Sequence, residues 1–154
     1  MLTPSMKHLN FRTDVPMTLH ALTPMVVHDI SVWGHYVCTR IVDRLWKIYR
    51  KVQLSKAEFH PYWRNDALSS GSPRTYASWY QWKNSDAPYQ VMIAAGNISR
   101  IRQKAGPKID FKKMGIRESS AIFHDLWNDQ PLTRKQLDEF ELDGGTFMLI
   151  GIRN

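Results

Sequence analysis

Between Thr23-Pro24 and Val52 only Gly34 interrupts a run of helix-compatible residues. A rod over 24–52 would reach roughly 43 Å at about 1.5 Å per residue, so the rest of the chain must be arranged around it. Thr23 is a residue of N-cap type, and Pro24 suits the first helical position, where a missing N–H costs no hydrogen bond. Stepping roughly 100° per residue from Ile41, the residues Val37, Leu45, Ile48 and Val52 fall near 0°. Cys38, Val42, Trp46 and Tyr49 widen the apolar arc to about 140°. Arg40, Arg44, Lys47 and Lys51 gather between about −60° and −120°, because residues three and four apart share a helix face. The pattern predicts one long helix over about 24–52, with a wide buried face and a separate cationic stripe.

Three shorter helices are expected to pack against it. Asp86 caps a segment over 87–105 that carries Pro88 in its first turn and Val91, Ala94, Ala95, Ile98 and Ile101 as its stripe. Gly106-Pro107 stops it. A second covers 117–127 and buries Ile122, Phe123 and Leu126. A third, 133–142, opens on a capping box of Thr133 and Gln136, with Leu132 placed to staple Leu137. Thr146–Ile152 reads as a short C-terminal strand, and Lys108–Met114 is compatible with another. Residues 76–82 alternate in a way that allows either a strand or a helical turn. The fold class read from these patterns is mainly α with a small β contribution, an α+β chain. Residues 1–22, with Pro4 and Pro16, are read as an extended N-terminal arm, and 23–154 as a single globular domain. The length of 154 residues fits one domain with a core of its own.

Charge is distributed unevenly. The net charge is +7, yet residues 1–117 carry 18 basic and 7 acidic side chains while residues 118–154 carry 3 and 7. That polarity favours an anionic partner for the first part, or contact between the two parts. One cysteine, Cys38, excludes an internal disulfide and a cysteine-based zinc site. It is consistent with an intracellular, reducing compartment. No uncharged apolar window of about 18 residues occurs, so no membrane span is expected, and the N-terminus lacks the apolar region of a secretory signal.

Several motifs fail on their chemistry. The helices at 117–127 and 133–141 have helix-turn-helix spacing, but Asp138, Glu139, Glu141 and Asp143 would repel phosphates. A calcium loop counted from Glu139 puts Ile150 where a bidentate glutamate is required. The six histidines form no metal-ligand pair, and His28 and His35 lie about 10 Å apart along a helix. No nucleophile elbow or glycine-rich phosphate loop is present. Glu58 and His60 are the weak candidates for acid–base catalysis. Lys47-Ile48-Tyr49-Arg50-Lys51 resembles the tripeptide of the LYR family of small, basic, helical mitochondrial proteins. Ile48 stands where that family has leucine, and one degenerate match over three residues establishes no membership.

A basic and aromatic surface remains. Seven of the 18 aromatic residues lie within 59–82, and Trp63, Trp79, Tyr80 and Trp82 are read as docking residues beside Arg64 and Arg74. Arg100, Arg102, Lys112 and Lys113 extend the cationic set. Trp, Tyr and Arg anchor protein interfaces; the same residues suit RNA or DNA, by stacking and counterion release. The expected function is a non-catalytic basic accessory or structural subunit of a larger assembly, an organellar complex or a viral particle, whose partners are other protein subunits. A stand-alone nucleic-acid-binding protein and a small enzyme with an unrecognised site are the alternatives. No cofactor and no metal are called for.

Overall fold

The structure, a computed structural model, describes residues 14–32, 37–83 and 86–154. Residues 1–13 of the expected arm, and Gly34 and His35 of the expected long helix, lie outside these. The chain is mostly β: among the described residues there are ten strands and three α-helices, which corrects the mainly α expectation.

The long helix is two helices, α1 (Val15–Val27) and α2 (Thr39–Lys51). Asp14, not Thr23, caps the first, its carboxylate accepting from Met17 N at 2.8 Å. Residues 15–22, assigned from sequence to an extended arm, are therefore helical. α1 stops because Asp29 turns left-handed (φ 55°) and Ile30 N–H bonds back to Met25 O at 3.0 Å. This is the pairing of a Schellman ending, here with aspartate where glycine is usual. The chain then folds back. Cys38 N–H donates to Thr18 Oγ1 of α1 at 2.8 Å, so a side chain of the first helix satisfies the start of the second.

The strands are β1 (Glu58–His60), β2 (Leu68–Ser69), β3 (Thr75–Gln81), β4 (Val91–Asn97), β5 (Gln103–Lys104), β6 (Lys108–Ile109), β7 (Ile122–Asp125), β8 (Gln130–Leu132), β9 (Glu141–Leu142) and β10 (Thr146–Arg153). Six form one antiparallel sheet in the order β1-β3-β4-β10-β7-β8. The expected helix over 87–105 is thus the strand β4 and its flanks. The expected helix over 117–127 is a 3-10 turn, Glu118–Ser120, followed by β7. The capped helix is present as α3 (Arg134–Glu139), with the Thr133–Gln136 box formed. The C-terminal strand is β10.

Each face of this sheet carries a core. On one, α1 and α2 lay Leu22, Val26, Leu45 and Ile48 against Tyr80, Met92, Ala94 and Leu149. On the other, Trp79, Ile93, Ile150 and Ile152 meet Phe111, Met114, Ile116 and Leu137 from the loops and α3. β4 is buried along its whole length, which is why its apolar run lacks a simple alternation. A fully buried leucine such as Leu22, Leu45 or Leu149 contributes roughly 1.5–3 kcal/mol. α1 approaches closely at Gly96, where a Cβ would come within 2.9 Å of the Thr23 and Val27 methyl groups.

Candidate functional site

The outer face of α2 begins with its sequence. Ile41, Val42, Leu45 and Ile48 are buried, so the helical period turns Arg40, Arg44, Lys47 and Lys51 outward, and all four are exposed. The stripe is real, and the turn between β7 and β8 builds onto it. Buried Asp125 shapes that turn: Oδ1 accepts from the backbone of Trp127 (2.9 Å) and Asn128 (3.0 Å), and Oδ2 from Asn128 Nδ2 (2.7 Å). Trp127 and Asp129 are thereby brought to α2. The Arg44 guanidinium lies 4.5 Å above the Trp127 ring and donates to the Trp127 carbonyl. Lys51 Nζ is 3.3 Å from Asp129 Oδ1, which His124 Nε2 also reaches at 3.1 Å. The Lys51 and His124 hydrogen bonds hold the Asp129 carboxyl below the usual carboxylate range, with the Lys51 charge adding to the effect. Two of the four cations are therefore anchored. Arg40 and Lys47 have no ion-pair partner among the described residues, and Asp43 is the one acidic residue on the helix.

The other expected docking residues do not join this face. Trp79, Tyr80 and Trp82 are 4%, 2% and 5% exposed, so they belong to the two cores and not to an exterior surface. The cause is that β3 is covered on both faces: Trp79 points to one core, Tyr80 and Trp82 to the other. Trp82 Nε1 donates to Gln53 O at 3.1 Å, and Tyr80 Oη to Asp29 Oδ1 at 3.0 Å. Trp63 is half exposed, its ring stacked on His28 at 5.5 Å and edge-on to Tyr62 at 4.9 Å. Arg64, Arg74 and Arg100 are exposed. Arg102 is bound to Glu141 (2.8 Å) and Asp143 (3.8 Å), and Lys113 to Asp66 (2.6 Å). Lys112 and Lys113 lie between Phe111 and Met114, whose side chains pack in the core on the far side of the sheet from α2. The charge asymmetry between the two parts of the sequence is in part closed internally, through Lys51–Asp129 and Arg102 with Glu141 and Asp143.

Glu58 and His60 lie on β1, at an edge of the sheet. Their closest approach, Oε1 to Nε2, is 4.0 Å, too long for a hydrogen bond. Glu58 is instead paired with Lys83 at 2.7 Å, whose hydrogen bond holds the carboxyl below its ordinary range. The His60 ring stacks on Trp79 at 3.9 Å and 11°, and among the described residues neither His60 Nε2 nor Trp79 Nε1 has a hydrogen-bond partner. Neither Glu58 nor His60 lines the cavity beside α2 or the smaller one beside β8. Glu58 and His60 are not assembled for proton transfer.

The larger of those two cavities, about 840 Å³, opens between residues 29–32 and the C-terminal half of α2. It was not foreseen from the sequence. Its one signal there is Trp46, at the edge of the apolar arc and one turn before Arg50. Among the described residues no group of three or more His, Cys, Asp or Glu could hold a metal ion, and no helix is long and apolar enough to cross a membrane.

Comparison with known proteins adds no relative. No family model, curated protein or solved structure matches this chain.

Proposed function

We propose that this chain is a non-catalytic, basic accessory subunit of a larger assembly, seated through the outer face of α2 on an acidic surface of a protein neighbour. The observation that supports it is the state of the stripe. Arg44 and Lys51 are held by the β7–β8 turn, while Arg40 and Lys47 point outward with no ion-pair partner among the described residues. The anchored pair gives the face a fixed shape, and a preorganised surface loses less side-chain freedom on docking. The Arg44–Trp127 stack adds the two side-chain types that most often dominate interface energies.

Arg40→Glu with Lys47→Glu tests the reading without disturbing Arg44 or Lys51. The full chain, tagged and expressed in its native source, is purified at about 50 and 200 mM salt, with and without nuclease. A protein companion at fixed stoichiometry, resistant to nuclease and weakened roughly tenfold or more by the double reversal, is the expected result. Circular dichroism must show the variant folded. A companion that disappears with nuclease, or that the variant retains, refutes the proposal; the first outcome would favour nucleic acid.

A further inference from the structure

Exposed Trp46 and Arg50 lie on the opposite edge of α2 from the cationic stripe, and both line the cavity that opens where α2 ends. Its volume, about 840 Å³, falls in the range of small-molecule sites, roughly 300–1,000 Å³. Its lining combines an apolar and aromatic side with a nearly equal share of polar and charged groups. Tyr80, 2% exposed, reaches it from β3, and Tyr49 from α2. Trp46, Ile30, Val32 and Leu54 supply the walls, with Trp46 39% and Ile30 54% exposed. Burial raises both phenols far above their ordinary value, so the aromatic lining stays uncharged.

The charged groups of the lining are unequal. Asp29, its one carboxylate, already accepts the Tyr80 hydroxyl at 3.0 Å. Lys56 Nζ donates only to a neutral group, Gln53 Oε1, at 2.8 Å, and Arg50 has no ion-pair partner among the described residues. Two cations against one engaged carboxylate leave the site short of negative charge. Aromatic rings and aliphatic walls favour a flat apolar body, through offset or edge-on contacts.

We propose that this cavity binds an anionic aromatic small molecule, its ring system against Trp46, Tyr49 and Tyr80 and its acid group on Arg50 and Lys56. The site stands apart from the docking face: Arg40 and Lys47 contribute nothing to it.

Two dyes that share a ring system test it. Anilinonaphthalene sulfonate carries an acid group, and phenylnaphthylamine is its neutral counterpart. Titrated into the full chain, the sulfonate binds one to one and saturates, and the neutral dye binds about tenfold more weakly or worse. Arg50→Gln with Lys56→Gln removes that preference and leaves the neutral dye unaffected. Ser55→Trp, a bulky change at an exposed lining position, displaces both dyes while circular dichroism remains native. Arg40→Glu with Lys47→Glu leaves both affinities unchanged. Equal affinity of the two dyes, or binding insensitive to Ser55→Trp in a folded variant, overturns the assignment.

Discussion

Ser78→Ala is the sharpest probe of how the end of α1 is held to the sheet. The Ser78 hydroxyl, wholly buried on β3, donates to Val27 O at 2.7 Å and accepts from Tyr62 N–H at 3.0 Å. One side chain therefore pins both the last turn of α1 and the loop that places Tyr62 and Trp63 against His28. Alanine leaves a buried carbonyl and a partly buried amide unmatched. Each such group costs about 1–3 kcal/mol, and the amide, closer to solvent, lies at the low end. The expected loss is about 2–4 kcal/mol, a large share of the roughly 5–15 kcal/mol available to a folded domain. In urea, with a slope of about 2 kcal/mol per molar, the midpoint falls by about 1–2 M. Ser119→Ala, at an exposed serine, is the control and should move stability by no more than about 0.5 kcal/mol. A Ser78→Ala loss within that same limit would mean that water or backbone relaxation replaces both bonds, and this account of how α1 is pinned would fail.

Asp129 is expected to give stability a small acid-dependent component. Its folded carboxyl is depressed by Lys51 and then His124, so its contribution is complete above the ordinary value of 3.8 and is lost as pH falls through the folded value. Urea midpoints of the wild type and Asp129→Asn should differ at neutral pH and converge below that point. Tyr49 and Tyr80 are shifted the opposite way: their contribution is complete below the ordinary value of 10.0 and is lost progressively as pH rises from there towards the raised folded value. An ultraviolet titration through pH 10 should therefore be unchanged in amplitude by Tyr49→Phe as long as the chain stays folded. Gly96→Ala pushes a methyl group to 2.9 Å from Thr23 and Val27 of α1. Overpacking of about 1–3 kcal/mol, offset by about 0.5–1 kcal/mol from removing glycine, leaves a net loss that Val27→Ala should partly recover in the double mutant.

Local chemistry was legible wherever it was decided locally. The Thr133–Gln136 box depends on residues three apart, and it formed as read. The outward stripe on α2 follows from a period that tertiary contacts did not alter. The break between α1 and α2 was hidden because its stop signal is Asp29, which adopts a conformation usually left to glycine. Each helix of 13 residues spans about 20 Å, close to the roughly 23 Å of a seven-residue strand; an unbroken rod would overhang the sheet it covers. β4 was misread for a different reason. Val91, Ala94 and Ala95 fit a helical stripe, but every residue from Val91 to Asn97 is buried, and a continuously apolar run fits helix and strand equally. Trp79 and Tyr80 were placed outside for the same cause, since burial on both faces of β3 depends on partners distant in sequence. The cavity was beyond reach because Tyr80 and Tyr49 come from elements that only the folded sheet brings together.

The place of β10 sets the order in which the molecule can be completed. It pairs with β4 on one side and β7 on the other, so the middle of the sheet is made last. As the nascent chain leaves the ribosome, β4 has β3 on one side and an unfilled backbone edge on the other, while β7 and β8 can form only a detached hairpin. Until residues 146–153 emerge, that bare edge is open to strands of neighbouring chains. A nonsense codon just upstream of Thr146 would release a sheet in two halves, β1-β3-β4 and β7-β8, with the central edge of β4 left bare.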